Sequence, residues 1–86
     1  MLEFWDAYSK LRVLVPREEE VAVGVEVSVH TIRAWDLTAK GSHDEEHRRN
    51  PSYFNRVRLA RFAETKGASK RVVEALKPQA DDEARA

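Results

Sequence analysis

Hydrophobic residues recur at helical spacing in the first part of the chain. Six of them follow the i, i+3, i+4, i+7 spacing of an amphipathic helix: Phe4, Trp5, Tyr8, Leu11, Leu14 and Val15. Pro16 ends this helix because it lacks the amide hydrogen that a continuing helix needs. The same proline suits the first turn of a second helix, in which Glu18, Glu19 and Glu20 interact favourably with the positive end of the helix dipole.

A good N-cap and a glycine delimit a third helix. Ser28 can accept a hydrogen bond from a free amide of the first turn, and the helix that it starts runs to about Ala39. Lys40 suits the negative end of the dipole, and Gly41 ends the helix. The segment 41–50 is polar apart from the glycine itself, so we predict either a wing or a loop there.

Two more helices follow this segment. Asn50 and Pro51 form a cap and a first-turn proline that open a fourth helix, and Gly67 closes it. By the same spacing, the core-facing residues of this helix are Leu59, Phe62 and Ala63. Ser69 caps a short fifth helix that ends before Pro78. Its apolar face consists of Val72, Val73 and Leu76.

The valines between residues 21 and 29 allow two interpretations. They alternate strictly with other residues, which is the period of a half-buried strand. No other segment alternates in this way, and a lone strand is not stable. Two helices joined by a tight turn bury Val21, Val25, Val27, Ile32 and Trp35 instead. In that favoured interpretation Ala22 lies where the helices cross, Gly24 ends the first helix and Ser28 caps the second.

This stretch resembles the helix-turn-helix motif of bacterial and phage regulators. The resembling residues are Glu18 to Asp36, EEEVAVGVEVSVHTIRAWD. With the helices before it and after it, the latter containing RNPSYFNRVRLARFA, it resembles the Xre/Cro-type repressor domain over most of residues 2–77. The resemblance implies an all-α, compact, lambda-repressor-like bundle of five helices. The turn of this motif usually carries a left-handed glycine, and Glu26 takes that position here, which costs about 1 kcal/mol.

A second resemblance is to the MerR-like winged helix of phage excisionases. In those domains a basic stretch follows the recognition helix, as His47, Arg48 and Arg49 do here. The segment between Trp35 and Pro51 is also longer than Cro-type domains usually show. The full helix in front of the motif favours the Cro-type interpretation.

The composition is that of one small domain. The chain has 86 residues, of which 42% are apolar and 35% charged, so it holds a single modest core. We expect residues 1–78 to form the domain and residues 79–86 to be a disordered tail. The chain contains no cysteine, which excludes disulfides and thiolate zinc sites.

The sequence also bears on where the protein acts. Its first residues lack the basic lead and cleavage site of a secretory signal. The longest apolar run, from Val21 to Val25, is too short to span a membrane. We therefore expect a cytoplasmic protein, in a bacterium or a phage-infected host cell, that does not bind membranes.

The charges are balanced in number but not in position. The chain has 15 basic and 15 acidic residues, yet residues 1–43 have a net charge of −2, residues 44–80 of +4 and residues 81–86 of −2. Residues 48–61 contain five arginines and no acidic residue. The arginines are Arg48, Arg49, Arg56, Arg58 and Arg61. Because surface charges act over only about 10 Å at ordinary salt, this cluster favours an anionic partner despite the zero net charge.

The resemblance implies that the third helix enters the major groove of double-stranded DNA, where base pairs display distinct donors and acceptors. With Ile32, Trp35 and Ala39 turned inward, the residues predicted to read bases are Val29, His30, Arg33, Ala34 and Leu37. Of these, Arg33 is the candidate for a bidentate contact to guanine. The residues predicted to contact phosphates are Ser28, Thr31, Lys40, Arg48, Arg49 and Arg56. The alternative interpretation of the charged residues is a solvated or salt-bridged surface.

No residue pattern supports catalysis. His43 and His47 are four residues apart, as in a zinc-protease helix, but Asp44 replaces the glutamate of that motif. The chain has no Gly-rich phosphate loop, and its serines have no convincing histidine and carboxylate partners. We predict that the protein is not an enzyme and needs no metal and no cofactor.

These features predict a sequence-specific regulator of transcription, a Cro-like repressor that acts by occupying a promoter or operator. One small module buries little DNA surface, so we expect a homodimer, at least on DNA. Two alternatives stay open. The first is an excisionase-like architectural DNA-binding protein. The second is a protein-binding module, antitoxin-like or a polymerase inhibitor, which the zero net charge and the acidic N-terminal half favour.

Overall fold

The structure, a computed structural model, describes residues 2–41 and 51–78. This part of the chain contains five α-helices. They are α1 (Phe4–Leu14), α2 (Glu18–Val25), α3 (Val29–Ala39), α4 (Tyr53–Thr65) and α5 (Lys70–Leu76). These residues contain no strand: four of the five alternating valines lie in α2 and α3, and Val27 lies in the turn between them. The predicted all-α fold of five helices is therefore confirmed. The predicted wing or loop, from Ser42 onward, and the predicted tail 79–86 lie outside the described residues.

Serine caps and glycines delimit the helices as the sequence indicates. The Ser28 Oγ accepts a hydrogen bond from the Thr31 amide at 3.1 Å, and the Ser69 Oγ accepts one from the Val72 amide at 3.3 Å. Gly41 and Gly67 follow α3 and α4 with φ angles of 84° and 82°, which a residue without a Cβ adopts readily.

The prediction placed the starts of two helices about two residues too early. Pro16 is not in the first turn of α2, because Arg17 is extended (φ −81°, ψ 114°) and the helix starts after it. Pro51 likewise precedes α4. The N-cap there is Ser52, whose Oγ accepts a hydrogen bond from the Asn55 amide at 3.3 Å.

The core lies between the helices. Thirteen of the residues predicted to fill the interior are buried: Tyr8, Leu11, Val15, Val21, Val25, Ile32, Trp35, Leu59, Phe62, Ala63, Val72, Val73 and Leu76. Val27, also predicted to be inside, is only half-buried. The Tyr8 ring meets the rings of Trp5 and Trp35 edge to face, with centroids 5.6 and 6.2 Å away. Leu14 is an exception to the predicted stripe, since its side chain is 47% exposed and Val15 is buried next to it.

Helix α3 is joined to α1 by a group of polar side chains. The Tyr8 hydroxyl donates to the Asp36 Oδ1 at 2.7 Å. The Arg12 guanidinium donates from Nε to the same oxygen at 3.0 Å and from Nη2 to Oδ2 at 3.2 Å. Its Nη1 donates to the Val15 carbonyl oxygen at 2.6 Å, where α1 ends. Arg12 and Asp36 are less than one quarter exposed, so this pair is shielded from water.

Helix α2 lies against α4 at a glycine. A Cβ added to Gly24 would overlap the ring of Phe62, which is itself buried. Gly24 lies in the last turn of α2, as the sequence indicates. It also permits close approach of the two helices, which the sequence did not indicate. Ala22 is also buried, as expected for a helix crossing.

We predict that Gly24→Ala destabilises the protein by roughly 1–3 kcal/mol because the added methyl group overpacks the contact with Phe62. At an uncrowded helical position the same change is stabilising, by about 1 kcal/mol. Urea denaturation followed by circular dichroism measures the free energy of unfolding. Val23→Ala, at an exposed neighbour, is the control and stays within about 0.5 kcal/mol of the wild type. A gain in stability for Gly24→Ala would contradict the close approach.

We also predict that Asp36→Ala lowers the free energy of unfolding by roughly 2–3 kcal/mol. The substitution leaves the Arg12 charge without its carboxylate, and the Tyr8 hydroxyl keeps only a long contact of 3.4 Å to the Ile32 carbonyl oxygen. The matched control is Glu64→Ala, which removes an exposed carboxylate from α4. Equal unfolding free energies for the two variants would show that the polar group does not anchor α3.

Candidate nucleic-acid interface

A turn of three residues, 26–28, joins α2 to α3. Glu26 adopts the left-handed conformation expected for this position, with φ 63° and ψ 45°, and no other non-glycine residue in the described part of the chain has a positive φ. The amide of Val27 donates to the Ala22 carbonyl oxygen at 3.0 Å, which ties the turn back to α2. The turn therefore determines the direction of α3 relative to α2.

The outer face of α3 presents three of the five predicted base-reading residues to solvent. His30, Arg33 and Leu37 are exposed. Val29 and Ala34 are half-buried, and Val29 packs against the core. The exposed residues therefore combine an imidazole, a guanidinium and an isobutyl group along one side of the helix.

Residues predicted to contact phosphates lie at both ends of α3. Ser28 and Thr31 are at its start, where the Ser28 Oγ is 3.0 Å from the Thr31 Oγ1. Lys40 is the exposed C-cap at the other end, about 18 Å along the axis at 1.5 Å per residue. Arg48 and Arg49 lie outside the described residues.

Arg56 has a role in the fold that the sequence did not indicate. Its Nε donates to the Leu76 carbonyl oxygen at 3.2 Å, and its Nη2 donates to that of Lys77 at 2.9 Å. Its Cζ lies 4.5 Å from the centroid of the Phe4 ring. A guanidinium held in this way caps the end of α5, and its predicted contact with a phosphate stays a prediction.

The remaining arginines of the predicted cluster point to different elements. The Arg58 Nε lies 3.5 Å from the Glu26 Oε2, so this side chain reaches the turn between α2 and α3. Arg61 makes no ion pair with any residue that the structure describes, and it lines a groove between α4 and the end of α5. The described members of the cluster therefore contact different parts of the fold.

The sequence analysis missed the ion pair between Glu18 and Arg33. The Arg33 Nη2 donates to the Glu18 Oε1 at 2.8 Å, and the Arg33 Nε lies 3.2 and 3.1 Å from Oε1 and Oε2. The Arg33 side chain is 66% exposed and that of Glu18 is 24% exposed. The first residue of α2 thus holds the guanidinium that lies on the outer face of α3.

This pair also changes the acidity of the carboxylate. Hydrogen bonds from Arg33 favour the charged form of Glu18 and lower the pKa of that carboxyl group below its ordinary value. The pKa of the Arg33 guanidinium is raised for the same reason. Both groups are therefore charged at neutral pH, and the ion pair persists there.

The face as a whole exposes hydrogen-bond donors and an apolar side chain to solvent. Within residues 2–41 and 51–78 no group of three metal-binding side chains is found. No helix in this part of the chain has the length and apolar character needed to cross a membrane.

Comparisons with known proteins give no match. No known family matches the sequence, no curated protein matches it significantly, and no solved structure matches the fold significantly. The function must therefore be argued from the residues of this chain alone.

We predict that Arg33→Ala raises the pKa of Glu18, because the hydrogen bonds that favour the carboxylate are lost. A lowered pKa in the folded state means that the pair contributes stability above the unfolded pKa of about 4.3 and loses it as the pH falls through the folded value. An NMR titration of the Glu18 carboxyl carbon measures this shift. In the control Lys66→Ala, which removes the partner of Glu20, the Glu18 titration is unchanged. Identical midpoints in the wild type and Arg33→Ala would refute the pair.

Proposed function

We propose that the protein is a sequence-specific double-stranded DNA-binding regulator of transcription that acts in the cytoplasm by occupying a promoter or operator. The observation that carries the proposal is the outer face of α3. This helix is held on its inner side by Ile32 and Trp35, and it projects His30, Arg33 and Leu37 into solvent. An α-helix with exposed donors on one side is the element that enters a major groove.

The connection between α2 and α3 supports a helix-turn-helix. The turn is short, its left-handed residue is Glu26, and Ser28 caps the second helix. With helices on both sides of this pair, the arrangement is compatible with a lambda-repressor-like domain of the Cro type. In this proposal α3 is the recognition helix and α2 lies across it.

Each exposed residue of α3 has a role that its chemistry allows. Arg33 donates to the O6 and N7 atoms of guanine, and His30 donates to a base edge or a phosphate. Leu37 packs on a thymine methyl group. Ser28 and Lys40, at the two ends of α3, contact the sugar–phosphate backbone and fix the register.

The charge of the second half of the domain supports attraction to DNA. Residues 51–78 carry seven basic and two acidic side chains, a net charge of +5. Residues 2–41 carry five basic and seven acidic side chains, a net charge of −2. A positive half of this kind attracts a polyanion although the whole chain is neutral, whereas the contact of α3 with DNA is argued from the exposed donors of that helix.

A homodimer extends the contact to two half-sites. One domain of this size covers few base pairs, and two-fold symmetry in the protein then requires a palindromic operator. The domain blocks access to a promoter by occupancy and performs no chemistry.

We predict that Arg33→Ala relaxes the preference at one base pair of the operator and costs about 1–3 kcal/mol there, in addition to the smaller loss of affinity for every duplex that removal of a positive charge causes. Fluorescence anisotropy with a panel of single-base operator variants measures the effect. The matched control is Arg71→Ala, which removes an exposed arginine from α5, a helix that packs on α1 and α4. If Arg33→Ala weakens binding to every duplex equally, Arg33 does not read a base.

Selection of bound duplexes from a random pool tests the function itself. A palindromic consensus with half-sites about one helical turn apart is the expected result. Enrichment of direct repeats would support an excisionase-like architectural protein instead. The absence of any enrichment with folded, helical protein would overturn DNA recognition and favour the protein-binding module.

A further inference from the structure

We propose that Glu18 is a specificity-determining positioning residue, which holds the Arg33 guanidinium so that its two terminal nitrogens face the base edges. This inference rests on the proposed DNA-binding function. In this inference, recognition of a guanine needs two residues from two helices. Arg33 of α3 contacts the base, and Glu18 of α2 fixes the direction of the Arg33 guanidinium.

The hydrogen-bond geometry leaves a suitable pair of donors free. A guanidinium has five N–H donors in one plane. Glu18 accepts from Nε and from Nη2, which is one edge of that plane. The other edge has one N–H on Nη1 and one on Nη2, which are parallel to each other, on a side chain that is 66% exposed. Two parallel donors are what the O6 and N7 acceptors of guanine require.

The position of Glu18 is itself fixed by the fold. It is the first residue of α2, and that helix buries Val21, Ala22 and Val25 against the rest of the core. A carboxylate on a helix packed in this way is a firm support for a long, otherwise flexible side chain. Arginine loses rotamer freedom when it binds, and a side chain that is already held loses less.

A stability role does not account for the pair. Exposed ion pairs contribute little to the free energy of unfolding. A carboxylate beside a recognition helix also repels phosphates and so weakens non-specific binding. Both effects favour a role for Glu18 in sequence specificity, because specificity increases when binding to other sequences is weakened.

The two neighbouring glutamates provide a comparison. Glu20 pairs with Lys66 of α4, with its Oε2 2.7 Å from the lysine Nζ. Glu19 is exposed and makes no ion pair with the described residues. Glu19→Gln therefore removes the same charge as Glu18→Gln, from the next position in α2, without touching Arg33. It is the matched control for the charge alone.

The experiment compares the dissociation constants of the wild-type protein, Glu18→Gln and Glu19→Gln for a duplex carrying the selected consensus and for a scrambled duplex of equal length. Both variants bind the scrambled duplex more tightly than the wild type does, because each lacks one negative charge. The specificity ratio is the dissociation constant for the scrambled duplex divided by that for the consensus duplex. We expect this ratio to fall roughly tenfold for Glu18→Gln and to stay within about twofold of the wild-type value for Glu19→Gln.

The outcomes separate the two proposals. A wild-type protein with no preference for any duplex overturns the proposed function. A wild-type preference that Glu18→Gln retains as well as Glu19→Gln does overturns only the role of Glu18. A ratio that rises in Glu18→Gln also overturns it, since Glu18 would then compete with the base for Arg33.

A measurement without DNA tests the positioning directly. In an NMR spectrum of the free protein we expect the Nε–H signal of Arg33 to be protected from exchange with water in the wild type and in Glu19→Gln. The signal is lost or broadened in Glu18→Gln. Equal protection in all three proteins would show that Glu18 does not hold the guanidinium.

Discussion

The rotation of α3 about its own axis depends on the Asp36 carboxylate. Asp36 follows the buried Trp35, and it accepts hydrogen bonds from Tyr8 and Arg12 of α1. Burial, together with the hydrogen bond to Asp36, raises the pKa of Tyr8, so the hydroxyl remains a donor at all ordinary pH values. Together with the buried Ile32 and Trp35, this contact to α1 fixes the rotation of α3 and leaves Arg33 on its solvent-exposed side.

The position of α2 depends on small residues. Gly24 lets α2 approach Phe62 of α4, and Ala22 lies buried on the same helix. From that position the first residue of α2, Glu18, reaches Arg33. The packing of α2 on α4 thus places the Glu18 carboxylate beside α3. The candidate interface therefore depends on contacts in the core as well as on α3 itself.

Local signals were enough to predict the helices but not the partners of their side chains. Caps and glycines such as Ser28 and Gly67 act within one turn, so the sequence shows them directly. The predicted starts of α2 and α4 were wrong because Pro16 and Pro51 each precede the N-cap residue and do not lie in the first turn. Arg56 and Arg58 are two residues apart, which is about 200° around a helix, so neighbours in sequence diverge in space. Glu18 and Arg33 are 15 residues apart, and only the packing of two helices brings them together.

The side chain of Arg56 has a consequence for the architecture of the chain. It touches the Phe4 ring at one end of the described domain and the Lys77 carbonyl oxygen at the other. The two ends of the folded chain are therefore close neighbours in space. A short linker between them would permit circular permutation, with new termini placed between α4 and α5, and it would permit two domains to be joined in tandem.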